Sequence, residues 1–116
     1  FRAAMKNDVG PFIFELARSE ISYTRQSPAE YSAAITAGAL AEGYNGPIFI
    51  QLDHCQFNKK KYDANPEQEI ADIKALIKDA IEAGFYNIDI DASTLVEFEK
   101  TDLYEQQDLN AMLTAK

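Results

Sequence analysis

The strongest constraint on the fold is an internal repeat. Gly10-Pro11-Phe12-Ile13-Phe14-Glu15-Leu16 aligns without gaps on Gly46-Pro47-Ile48-Phe49-Ile50-Gln51-Leu52. A weaker third copy runs Gly84-Phe85-Tyr86-Asn87-Ile88-Asp89-Ile90-Asp91, so the offsets are 36 and 38 residues. That length fits a strand, a loop, a helix and a return, and each copy reads as one βα unit. Strands are predicted near 12–16, 48–53 and 87–91.

The segments between the copies read as helices near 28–43, 66–84 and 103–115. Asn65-Pro66 is a start signal, with Asn as N-cap and Pro at the first helical position. Glu67 and Glu69 place negative charge on the positive end of that helix dipole. Ile70, Ile73, Ile77, Ala80, Ile81 and Gly84 fall on one stripe at helical spacing, flanked by Leu76. The helix that begins near Ser27-Pro28 has Tyr31, Ile35 and Leu40 among its apolar positions. The first nine residues read as the tail of another helix, and an opening on Phe1 rather than Met suggests a piece of a longer protein.

Glu15, Gln51 and Asp89 occupy aligned strand positions and therefore share a face. In an open doubly wound sheet both faces are covered by helices, and polar side chains there are costly. Inside a closed barrel they are tolerated where they bond to one another or to water. The pattern thus favours α/β units of a (β/α)8 TIM barrel, with residues 1–116 forming a partial barrel domain, because closure takes about 250 residues. Glu15 and Gln51 are expected in a satisfied, buried hydrogen-bond network.

A length of 116 residues allows one domain, and 47% apolar residues suit a packed core. The net charge of −8 argues against nucleic acid and anionic membrane as partners and reads as a solvated surface. No apolar run is long enough to span a bilayer, and the N-terminus carries no signal-peptide pattern. Cys55 stands alone, which permits no internal disulfide and fits a reducing, cytoplasmic location. It reads as a packed side chain. Lys59, Lys60 and Lys61 read as a solvated charge run in a long loop, and the aromatic residues as core.

Barrel sites are built at the carboxyl ends of the strands. The tips here are Ala17-Arg18-Ser19-Glu20, Asp53-His54-Cys55 and Asp91-Ala92-Ser93-Thr94, with one histidine among them. A carboxylate can move protons and a neutral imidazole can bind a divalent metal. From the residues alone, Asp53–His54 is equally readable as a hydrogen-bonded rim pair. Asp89 reads as a hydrogen-bonding residue, and Asp91 stays open between the two roles.

Gln51-Leu52-Asp53-His54, the helix end Asp79-Ala80-Ile81-Glu82-Ala83-Gly84-Phe85 and the run Ile90-Asp91-Ala92-Ser93 resemble the class II, metal-dependent fructose/tagatose-bisphosphate aldolase superfamily. Glu15 to Thr24 and Tyr86 to Asp91 look closer to a longer aldolase-like branch. The resemblance spans residues 9–115. It implies that Asp53 is the acid/base at the aldehyde oxygen and that His54 is one of three histidine ligands to Zn²⁺ or another divalent cation. Such an ion polarises the ketone during carbon–carbon cleavage. It further implies that Asp91 lies near the metal as a secondary group, that Ser93 binds substrate, and that the remaining ligands lie outside these residues. The implied substrate is a small sugar or sugar phosphate, and the implied whole protein is a homo-oligomer. A metal-dependent sugar epimerase and a non-catalytic aldolase-like partner subunit are the alternatives. By itself the chain is expected to be inactive, and the unpaired edges of a three-stranded parallel sheet to invite association.

Overall fold

A computed structural model describes all of residues 1–116. The chain forms a three-stranded parallel sheet and six α-helices in the order α1 (Arg2–Asn7), β1 (Ile13–Ala17), α2 (Arg18–Thr24), α3 (Pro28–Ala41), β2 (Phe49–Gln56), α4 (Lys59–Ala64), α5 (Pro66–Glu82), β3 (Asn87–Asp91) and α6 (Leu103–Thr114). A 3-10 turn at Ser93–Leu95 follows β3. Strand order in the sheet is β1-β2-β3, so each strand pairs with the next in sequence. No helix is long and apolar enough to cross a membrane.

The helix starts are fixed by side chains that satisfy free amide groups. Asn65 accepts from the Gln68 N–H at 3.1 Å and Pro66 opens α5, as the sequence predicts. Ser27 and Glu30 form a reciprocal capping box on α3, with bonds of 3.3 and 2.8 Å. Gly84, at φ +89°, ends α5 in a conformation that L side chains rarely adopt and turns the chain into β3.

One face of the sheet carries the core. Leu16, Ile50, Leu52 and Cys55 are buried there and join one cluster with Ile73 and Ala80 of α5, Phe85, and Leu113 of α6. Ile88 and Ile90 of β3 and Tyr31 and Ile35 of α3 pack against this cluster. The opposite face is open. Glu15, Asn87 and Asp89 are exposed on it, and Ile13 and Phe49 remain 50% and 40% exposed.

Several expectations need correction. Leu40 and Ile81 are exposed, because their helices turn those positions outward from the sheet. Glu15 is exposed rather than buried in a network, since nothing covers its face. Among the aromatic residues Phe57 and Phe85 are buried, whereas Tyr23, Tyr86, Phe98 and Tyr104 are exposed. The segments predicted as loops after the first two strands contain helices α2 and α4, so Lys59–Lys61 lie on a helix capped by the Asn58 side chain.

The register also differs from the repeat alignment. Ile13 pairs with Phe49 and Glu15 with Gln51, as the 36-residue offset predicts. Gln51, however, pairs with Asn87 rather than with its sequence equivalent Asp89. The third strand is therefore displaced by two residues along the second. A shift of two keeps Asp89 on the same open face as Glu15 and Gln51, because side-chain direction has period two.

Candidate functional site

Strand β2 does not end at Asp53 but runs on to Gln56, through a bulge at the predicted pair. Leu52 pairs with Ile88 and Cys55 with Ile90, so Asp53 and His54 together face the single residue Asp89. Two residues against one is the definition of a β-bulge. His54 is the extra residue, and its φ of 46° lies in the left-handed region.

The bulge decides where the imidazole goes. Strict alternation from buried Leu52 would send the residue-54 side chain into the helix-covered core, where an unpaired imidazole is unfavourable. With the extra residue, Cys55 takes the core position and is fully buried, while the His54 side chain is 65% exposed. The His54 N–H donates to Asp89 Oδ2 at 3.1 Å, which supplies the partner that the interrupted ladder withholds. Asp89 thus holds the bulge, in keeping with the hydrogen-bonding role read for it.

Three carboxylates surround the ring. His54 Nδ1 lies 3.3 Å from Asp91 Oδ2 and 3.9 Å from Asp89 Oδ2, and Nε2 lies 3.7 Å from Asp53 Oδ2. The contact with Asp91, helped by the charges of Asp53 and Asp89, raises the imidazole pKa above its ordinary value of 6.5. Burial pushes the Asp91 carboxyl upward, but bonds from the Ser93 side, from Gln56 and from His54 outweigh it and hold the group below its usual range. Among those bonds, the Ser93 N–H donates to Asp91 Oδ1 at 2.9 Å and Gln56 Nε2 donates to Oδ2 at 2.8 Å. Asp53 Oδ1 accepts from Gln51 Nε2 at 3.0 Å.

The predicted residues Asp53, His54 and Asp91 are therefore brought together. Ser93 is adjacent, and its backbone is committed to Asp91. Cys55 is not available for chemistry, because burial pushes its thiol up to about 11.

An imidazole whose Nδ1 faces a carboxylate is oriented as metal-binding histidines are, with Nε2 left for the ion. His54 has that arrangement toward Asp91, so its donor chemistry fits one ligand position of a divalent cation. No group of three His, Cys, Asp and Glu side chains is arranged to hold a metal ion within the chain. What fits is a single ligand with its orienting carboxylate.

A polar cavity of about 360 Å³ opens beside His54, lined by Arg18, Ser19 and Ser22 from the β1 side and by Gln56, Asn58 and Lys61 from the β2 side. Beneath it lies an ion pair that sequence reading missed. Arg18 Nη1 and Nη2 donate to the two carboxylate oxygens of Glu69 at 2.5 and 3.2 Å. Glu69 is 1% exposed. Burial pushes its carboxyl upward, yet Arg18 and the Asn58 N–H, which donates at 2.7 Å, hold it below the usual carboxylate range. Glu69 had the appearance of a helix-dipole charge, and its partner lies 51 residues earlier in the chain. Its place on the buried side of α5, four residues before Ile73, was the available signal.

Comparison with family models, with curated proteins and with solved structures finds no match.

Proposed function

We propose that the chain carries part of the active site of a class II aldolase-like lyase, with Asp53 as acid/base and His54 as one metal ligand. The observation that carries this reading is the bulge. It places His54 beside Asp53 on the open face and seats Nδ1 against Asp91. Asp53 Oδ2 lies 3.7 Å from His54 Nε2 and Oδ1 accepts from Gln51, which supports reading Asp53 as the group that gives a proton to the aldehyde oxygen as a carboxylic acid and takes it back as a carboxylate. A bound divalent cation supplies Lewis acidity toward the ketone of the sugar or sugar phosphate. Asp91 orients the imidazole and favours its Nδ1–H form.

The reading includes a (β/α)8 barrel from which these are three consecutive units. Parallel sheets normally have both faces covered, yet here helices pack on one face and the other is open and mostly polar. Such a sheet is what a slice of a barrel wall presents, with the open face toward the barrel axis. Sequential strand order supports it.

The test is bound metal per chain, by elemental analysis of the full-length protein and its His54→Ala variant, followed by product analysis with ketose phosphates. Metal lost in the variant and triose formation support the aldolase. A product of unchanged carbon number would replace it with the epimerase, and no metal in either protein would leave the partner-subunit reading.

A further inference from the structure

We infer that the buried Glu69–Arg18 pair is a positioning unit for His54, acting through Gln56 and Asp91. The inference rests on the reading of His54 as the functional imidazole.

The connections are continuous. Arg18 Nη1, besides its bond to Glu69, donates to the Gln56 carbonyl at 2.7 Å. The Asn58 N–H donates to Glu69 Oε1 at 2.7 Å. The backbone from 56 to 58 is therefore clamped at both ends by the same ion pair. Gln56 in turn donates from Nε2 to Asp91 Oδ2 at 2.8 Å, the oxygen that faces His54 Nδ1 at 3.3 Å. Asp91 has its other oxygen held by the Ser93 N–H, so it cannot turn away from the ring without losing both bonds. A shift of the Gln56 backbone therefore pulls on the bond that holds Asp91 Oδ2 against the ring.

Stability alone gives little reason for such a pair. Apolar side chains of similar volume are often as stabilising as a buried ion pair. They would lack the two directed bonds that fix Gln56 and Asn58. A bidentate guanidinium–carboxylate contact supplies directional constraint as well as energy.

The experiment reads the ring nitrogens of His54 in the full-length protein by ¹⁵N NMR at one fixed pH, assigned as the signals that His54→Asn removes. Glu69→Gln and Arg18→Lys perturb the pair, while Gln56→Leu breaks the middle of the chain of bonds and leaves the pair whole. The expected result is a displacement of the His54 Nδ1 resonance in the same direction in all three variants. Adding Glu69→Gln to Gln56→Leu should then add little. A Glu69→Gln protein that folds with a lowered Tm and an unmoved His54 ring overturns the inference, since that is the signature of a purely structural pair. If Glu69→Gln does not fold, Arg18→Lys, which keeps the charge but loses the forked contact with Glu69, decides, and an unmoved ring in that variant overturns it equally.

Zn²⁺ titration separates this inference from the functional reading. Failure of the wild-type protein to bind Zn²⁺ counts against His54 as a metal ligand but not against the ring coupling. If Zn²⁺ binds, Gln56→Leu should weaken it by about tenfold, the usual scale for loss of an orienting outer group.

Discussion

Removing one member of the Arg18–Glu69 pair should destabilise the chain more than removing both. The Glu69 side chain has no exposed surface, and that of Arg18 is 16% exposed. Arg18→Met leaves a buried carboxylate without its cation, and Glu69→Leu leaves the guanidinium without its anion; each should lose about 3–5 kcal/mol. The double variant Arg18→Met/Glu69→Leu leaves no charge behind. What it loses is the Arg18 bond to the Gln56 carbonyl and the Asn58 N–H bond to Glu69. At about 1 kcal/mol for each of these two bonds, the double variant should lose about 2 kcal/mol. Urea unfolding followed by far-UV circular dichroism, at neutral pH and one protein concentration, gives the order directly. A double variant less stable than either single one would refute the argument. So would single variants losing under about 1 kcal/mol, because that is how a hydrated surface pair behaves.

The left-handed backbone at His54 makes the position selective by shape. His54→Gly and His54→Asn should keep the fold better than His54→Val, because a β-branched residue tolerates positive φ poorly; thermal melts of the three variants give the order. Protonation should stabilise the site. The folded pKa of His54 is raised above 6.5, so its contribution is fully present below that pH and is lost as pH rises through the folded value. The folded pKa of Glu69 is lowered below its ordinary 4.5, so its contribution is present above that pH and is lost as pH falls through the folded value. Unfolding free energies across both windows test the two signs. Asn65→Ala removes the cap of α5 and should lower stability by about 1 kcal/mol in the same urea assay. Cys55, with its thiol pushed up to about 11, should react with a thiol reagent at neutral pH only after denaturant is added.

What the sequence makes legible is local and periodic. The Gly-Pro-apolar repeat locates the strands, and Asn65-Pro66 locates the start of α5, because caps and side-chain periodicity act within a few residues. The short helix α2 was hidden because it follows β1 with no Gly or Pro between them. Its first turn is held instead by Glu20, whose carboxylate accepts the Ala17 N–H at 2.8 Å. Helix α4 had a readable cap in Asn58, three residues before Lys61, but the lysine run looked like a solvated loop. Asp53, His54 and Asp91 were candidates because the sequence pattern put them at strand tips, although β2 runs on to Gln56, and the family resemblance gave them their expected roles. Glu69 and Arg18 could not, since no local pattern pairs residues 51 positions apart.

The bulge was equally illegible, because it is a count of residues across two strands rather than a property of one. It nevertheless gives the clearest physical reason to treat His54 as more than structural. A regular β2 with an apolar residue at position 54 would fill the core beside Leu52 and keep every ladder bond. The chain instead interrupts the ladder and puts a non-glycine residue at φ 46°. It also spends an aspartate, Asp89, on the displaced N–H. Backbone in sparsely populated regions persists only where its surroundings hold it, and it concentrates at functional sites. The same rearrangement keeps Cys55 in the core, so only the imidazole changes sides. Its result is a ring flanked by Asp53, Asp89 and Asp91, a placement that contributes little to packing. That imbalance between what the local structure gives up in regularity and what it gains in packing supports a chemical role for the imidazole.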